Sequence, residues 1–107
     1  MHINSSDALD TLKNTDGEFL NLFQHGSLKV EVYRPDGVDR QTPHEYDEVY
    51  VIISGNGEFL NGKDKVLFSA GDFLFVPAGV DHRFINFTKD FSTWVFFYGP
   101  KGGESSK

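Results

Sequence analysis

Gly71-Asp72-Phe73-Leu74-Phe75-Val76-Pro77-Ala78-Gly79-Val80-Asp81-His82-Arg83-Phe84-Ile85-Asn86 reads as a strand, a tight turn and a second strand. Gly71 opens the turn that precedes the first strand. The Phe73–Val76 run is aromatic and β-branched, which suits a pleated surface. Pro77 stops that strand because its nitrogen has no proton to donate, and Gly79 lets the chain reverse. His82 opens the next strand, and Phe84 and Asn86 share its parity and therefore its face.

The same rhythm runs through most of the chain. Strands are predicted at 19–23, 27–33, 47–54, 57–61, 64–68, 72–76, 82–88 and 92–98. Between them stand Pro35-Asp36-Gly37, Gly55-Asn56-Gly57, Asn61-Gly62, Ser69-Ala70-Gly71 and Pro77-Ala78-Gly79, with Gly and Asn where hairpins need positive φ. Ser27 to Tyr33 alternates cleanly, with Leu28, Val30 and Val32 on one face and Lys29, Glu31 and Tyr33 on the other. About eight short strands at this spacing indicate an all-β sandwich or barrel. Eleven Phe, four Tyr and one Trp among 107 residues agree with that class, and the length fits one domain. Residues 1–17 form an arm with a short helix over Ser5–Asn14, capped by Ser5 or Ser6 and ended by Asp16-Gly17, with Leu9 and Leu12 docking on the barrel. A frayed arm is the alternative, because short helices nucleate poorly. The domain is expected to span 1–100, and the polar segment 101–107 to be a flexible tail. Val49 to Ile53 is apolar on both faces, so its outer face needs a cover: a second sheet, the N-terminal segment or another subunit, hence an expected homodimer.

The net charge of −6 and the lack of any Lys/Arg cluster exclude a nucleic-acid partner. With no cysteine, disulfides, thiolate metal sites and Cys nucleophiles are excluded too. No apolar stretch approaches the roughly 20 residues that span a bilayer, so no membrane partner is expected. The Met1–Asp7 start has no basic region followed by an apolar run, and a cytoplasmic location is the expectation. There is no Gly-x-Ser-x-Gly stretch for a serine nucleophile.

The chemistry-bearing residues are histidines and one carboxylate. His44 and Glu48 lie four apart where the chain enters a strand, and equal parity puts them on one face with Thr42, Tyr46, Tyr50 and Ile52. If that strand and the one beginning at His82 face each other, two imidazoles and a carboxylate converge among aromatic side chains. Two His and one carboxylate form the facial triad typical of non-haem iron, and they suit Zn, Mn, Ni or Co as well. A solvated His and Glu at a strand entrance is the commoner alternative. Tyr50, Phe84, Trp94, Phe96 and Tyr98 are candidates to line the pocket, although aromatic side chains of small domains mostly pack the core. His2 and His25 stand apart from this group.

These residues sit in a pattern that resembles the cupin family. Its second motif reads Gly, five residues, Pro, one, Gly, two, His, three, Asn, and Gly71 to Asn86 matches every fixed position. Its first motif reads Gly, five, His, one, His, three or four, Glu, six, Gly. Here His44, Glu48 and Gly55 match the second His, the Glu and the closing Gly; Thr42 stands at the first His, and Gly37 lies four residues before Thr42 rather than five. The fifteen residues from Asn56 to Ala70 resemble the short inter-motif segment of compact microbial single-domain members. The resemblance implies a double-stranded β-helix (jelly-roll) barrel, with His44, Glu48 and His82 as ligands of a divalent cation. Thr42 implies an open or water-filled fourth position. Gln41 is a neutral substitute there, with the wrong parity unless the loop twists, while Glu45 and Asp47 have parity opposite to Glu48.

Two functions follow. One is an enzyme, a small-molecule dioxygenase or isomerase working through the bound ion. The other is a non-catalytic module binding a sugar or organic acid, with the metal structural or absent. A structural or regulatory partner, using the apolar face of 49–53, is a third.

Overall fold

The structure, a computed structural model, describes residues 1–105. One helix, α1 (Ser5–Lys13), precedes eight strands: β1 (Phe19–His25), β2 (Leu28–Tyr33), β3 (Asp47–Ser54), β4 (Asn56–Asn61), β5 (Asp64–Ser69), β6 (Phe73–Val76), β7 (His82–Ile85) and β8 (Ser92–Tyr98). They form a five-stranded sheet in the order β1-β2-β8-β3-β6 and a three-stranded sheet in the order β5-β4-β7, every pair antiparallel. This is the expected jelly-roll barrel.

The core between the sheets is aromatic. Tyr33, Tyr50, Phe59, Phe68, Phe84 and Phe91 are buried with Ile52, Val76 and Val95. Their rings meet edge-on or tilted, as Tyr50 against Phe84 at 4.9 Å and Phe68 against Phe91 at 5.0 Å, geometries that the ring quadrupole favours.

The clean alternation of β2 resolves opposite to hydrophobic-inside expectation. Val32 packs outward against Ala8 and Leu12 of α1, whereas Tyr33 joins the core and Glu31 is buried. The N-terminal segment thus covers part of the outer face of the large sheet. Its helix is capped by Asn4 rather than Ser5 or Ser6: Asn4 is extended (φ −93°, ψ 154°), and its Oδ1 accepts the Asp7 amide at 2.8 Å. The tail also departs from expectation. Gly102 N donates to Glu45 O at 2.7 Å and Glu104 N to Asp47 Oδ2 at 2.8 Å, so the chain is anchored through Glu104. Ser106 and Lys107 lie outside the described residues.

β7 ends at Ile85, short of the expected 88, because Asn86 turns the backbone to φ +51° and donates from Nδ2 to Glu58 Oε2 at 3.0 Å. Gly55 sets the β3–β4 turn at φ +87°, and a Cβ there would stand 2.6 Å from Phe91 Cα and 2.7 Å from Thr88 Oγ1. Both the conformation and the space exclude a side chain. Gly55→Ala is therefore expected to lower stability by at least about 2 kcal/mol, read as a lower urea midpoint with an unchanged slope.

Candidate metal centre

Residues from three places meet at one end of the barrel. His44 lies in the irregular segment before β3, Glu48 on β3 and His82 at the start of β7. The turn that begins the His82 strand holds the His44 segment directly: Gly79 N, in a φ +79° conformation, donates to His44 O at 2.7 Å. Asp47 adds a second tie, its Oδ1 accepting from Ala78 N at 3.0 Å. The spacing of the Pro77–Gly79 turn thus sets the separation of the two imidazoles, whose ring centres are 5.2 Å apart.

One donor atom each from His44, Glu48 and His82 lies within 4.8 Å of the others. Glu48 Oε1 is 3.1 Å from His82 Nε2 and 3.8 Å from His44 Nε2. The Glu48 and His82 side chains are almost fully buried, and among the described residues neither carboxylate oxygen nor His82 Nε2 is assigned a hydrogen-bond partner. The other His82 nitrogen is occupied: Nδ1 lies 2.9 Å from Val80 O, which as an acceptor requires the Nδ1 proton. In neutral His82 the lone pair of Nε2 then faces the lone pairs of Glu48. Two buried acceptors in contact need either a proton between them, carried by Nε2 or by the carboxyl, or a metal ion. The protonation preferences follow. Burial alone lowers the His82 pKa, but the Glu48 carboxylate and the Val80 carbonyl outweigh it, and the net shift is upward. For His44 burial dominates, outweighing Glu48, and the pKa falls. The Tyr50 hydroxyl is pushed well up by burial and by the neighbouring Glu48 charge, which keeps it a proton donor. The donor set fits a divalent ion: two imidazole nitrogens, one carboxylate, and buried atoms left without other partners.

Tyr50 and Phe84, both expected to line the pocket, are buried in the aromatic core next to the cluster. Tyr50 is fully buried with its ring 6.1 Å from that of His82, and Phe84 backs it from the opposite sheet. Thr42 is a correction: it is exposed, because residues 41–46 are irregular and strand parity begins only at Asp47. Trp94 and Phe96 are corrections as well. They lie beside Val51 and Val49 of β3 and beside Val32 and Val30 of β2, on the outer face of the large sheet. Tyr98 shares their parity on β8. From β8 it is Phe97 that reaches the site, edge-on to His44 with ring centres 5.0 Å apart. A cleft of about 630 Å³ opens beside it, lined by Lys29, Pro43, His44, Tyr46 and Phe97 among others.

Sequence reasoning missed Asp39. It is 2 % exposed, and its carboxylate accepts four hydrogen bonds: from Tyr33 OH at 2.7 Å, Gln41 N at 3.0 Å, Gln41 Nε2 at 3.0 Å and Phe84 N at 2.9 Å. Nothing in the sequence signals this, since an acidic residue in a loop is ordinarily solvated.

With fold and site described, the class is a small jelly-roll barrel carrying a His/Glu/His cluster at one end. The chain belongs to the cupin family: residues 29–98 match the family model for the cupin domain. It is 33 % identical over 88 residues to an uncharacterized protein of Streptomyces coelicolor, covering 80 % of this chain and 84 % of that one. Its fold is similar to that of a cupin-2 domain protein from Shewanella frigidimarina (TM-score 0.71, 18 % identity, 91 % of this chain and 94 % of the other). It is also similar to protein NMB1881 from Neisseria meningitidis (TM-score 0.73, 16 % identity, 92 % and 100 %). Among the described residues, no helix is long and apolar enough to cross a membrane.

Asp39→Ala leaves four buried donors without their acceptor. It is expected to cost more than about 3 kcal/mol in denaturant unfolding, several times the effect of Thr42→Ala at its exposed position.

Proposed function

We propose that this cupin holds one divalent ion on His44, Glu48 and His82 and offers it to a small polar molecule entering by the cleft beside His44. The observation that carries this reading is the set of buried atoms without partners, Glu48 Oε1 and Oε2 against His82 Nε2. A proton on His82 satisfies one such contact. The convergence of His44 Nε2 on the same carboxylate supplies more donors than one proton needs.

An ion in this place supplies Lewis-acid polarisation of a carbonyl or, with a redox-active metal such as iron, a position for dioxygen; Mn, Zn and Ni are the other candidates. Small-molecule dioxygenation and isomerisation are the reaction classes this supports. His44, with about a quarter of its side chain exposed, forms the wall between the buried donors and the cleft. Phe97 packs edge-on against that imidazole at the cleft wall. Tyr50 presents a hydroxyl held in its protonated form.

Binding without turnover is a second reading, supported by the polar inner face of β2. Lys29, in the cleft wall, and Glu31, 3.3 Å from it, offer a donor and an acceptor to a sugar or organic acid. Saturating Mn²⁺ or Ni²⁺ at about a hundred times Kd is expected to raise Tm by about 10 °C, and His82→Ala or a chelator to remove the gain. A wild-type protein indifferent to divalent ions would contradict the metal reading. Oxygen uptake with a chelating enediol or diketone supports the enzyme. Equal stabilisation of metal-free and metal-loaded protein by a sugar or organic acid supports binding alone.

We also propose a homodimer through the outer face of the large sheet. Beyond the part covered by α1, Phe73 is 65 % and Phe75 41 % exposed, in register with Val51 and Val49. A contiguous apolar surface of this kind favours association. Light scattering at micromolar concentration should give twice the 12.1 kDa chain mass, and Phe73→Lys the monomer; a wild-type monomer would overturn the proposal.

A further inference from the structure

A polar side chain outside the His/Glu/His set borders the cluster. Gln41 is 7 % exposed, and its amide is held at both ends. Nε2 donates to Asp39 Oδ2 at 3.0 Å, while Oε1 accepts from Tyr50 OH at 3.0 Å and lies 3.3 Å from His44 Nε2. The orientation of the amide is fixed by this network. A flipped amide would set its carbonyl oxygen against the Asp39 carboxylate and its NH₂ against the Tyr50 hydroxyl proton. Asp39 cannot turn away to allow it, because its two oxygens also hold Tyr33 OH, Gln41 N and Phe84 N.

The spacing suits shared coordination. Two donor atoms about 2.1 Å from a common ion are about 3.0 Å apart at a right angle and about 3.4 Å apart at the tetrahedral angle. Gln41 Oε1 to His44 Nε2, at 3.3 Å, and Glu48 Oε1 to His82 Nε2, at 3.1 Å, both fall in or beside that range. His44 Nε2 to Glu48 Oε1, at 3.8 Å, closes to it with a small rotation of the His44 ring, which borders the open cleft.

Resting on the metal reading above, we propose that Gln41 Oε1 is a fourth ligand of the ion, and that Asp39 is the positioning residue that aims it. Thr42, two residues before His44, does not leave the position open: the irregular chain at 41–46 turns Gln41 inward in its place. The chemical consequence is a donor set of two nitrogens and two oxygens. A neutral amide carbonyl in place of an imidazole leaves the net charge unchanged and makes the set harder. It therefore favours Mn²⁺ and Fe²⁺ relative to the nitrogen-seeking Ni²⁺ and Cu²⁺.

The test uses Mn²⁺ alone, with two readouts on the full chain: affinity by competition with a chelator, and the number of exchanging waters on the ion by water-proton relaxation. Gln41→Leu and Gln41→Met both preserve bulk, and denaturant unfolding of each metal-free variant confirms folding. We expect each folded variant to bind Mn²⁺ about 10- to 100-fold more weakly than wild type, on the scale of losing one well-held partner of a metal site, and to gain one exchanging water. Wild-type affinity and water count in both variants, alongside loss of binding in His82→Ala, would overturn the Gln41 assignment and leave the three-residue centre standing. Weakened binding with an unchanged water count would also overturn it, since Gln41 would then act only by positioning its neighbours. A wild-type chain that takes up no Mn²⁺, Fe²⁺ or Co²⁺ would overturn the centre and Gln41 with it.

Discussion

A single buried carboxylate ties the two layers of this barrel together. Asp39 joins Tyr33 of the large sheet to the backbone of Phe84 in the small one, and holds the amide of Gln41 between them. Hydrogen bonds to an ionised acceptor are about twice as strong as neutral ones, and a buried carboxylate is tolerated only when its oxygens are satisfied. Here all four bonds come from protein donors of fixed position. The Tyr33 hydroxyl is correspondingly pushed up in pKa, first by burial and then by Asp39, so the donor stays protonated. The end of the barrel that carries the histidines is held rigid by these bonds.

The opposite condition holds one layer further out. Glu48 and His82 are as buried as Asp39, yet their facing atoms have no donors. The contrast is informative because both carboxylates lie in one small domain. The fold shows that it can satisfy a buried carboxylate fully, and beside it leaves another whose nearest partner is an imidazole that must itself be protonated, or share a cation, to satisfy it. Such an arrangement is costly for the polypeptide alone and is stabilised by a cation. The ion proposed above would meet this electrostatic demand, and its binding would then favour the folded chain.

Much of this was legible in the sequence, for reasons that differ by residue. His82 could be placed because Pro77 and Gly79 constrain the turn before it, and His44 and Glu48 could be paired with it through the spacing of the first cupin motif, since His44 lies ahead of the strand. Parity failed where there was no strand. It put Thr42 in the pocket and Gln41 out of it, and residues 41–46 obey the hydrogen bonds of Asp39 instead. On β8, alternation correctly separated Trp94 and Phe96 from Val95 and Phe97. It could not say which set faced inward, since both are apolar and each face is covered in part. The same ambiguity hid the inversion of β2, whose polar face lines the barrel because α1 claims the apolar one. Asp39 was illegible for a deeper reason: its role depends on four donor atoms of three residues, Tyr33, Gln41 and Phe84, drawn from separate segments.

The central claim is that this demand is met by a metal ion. The most direct measurement is a crystal structure of protein supplied with Mn²⁺, with diffraction recorded where manganese scatters anomalously. The account predicts one anomalous peak per chain at the end of the barrel, about 2.0–2.3 Å from the two imidazole Nε2 atoms and a Glu48 oxygen. A fully ordered site with His82 hydrogen-bonded to Glu48 and no anomalous peak between them, at saturating Mn²⁺, would contradict it.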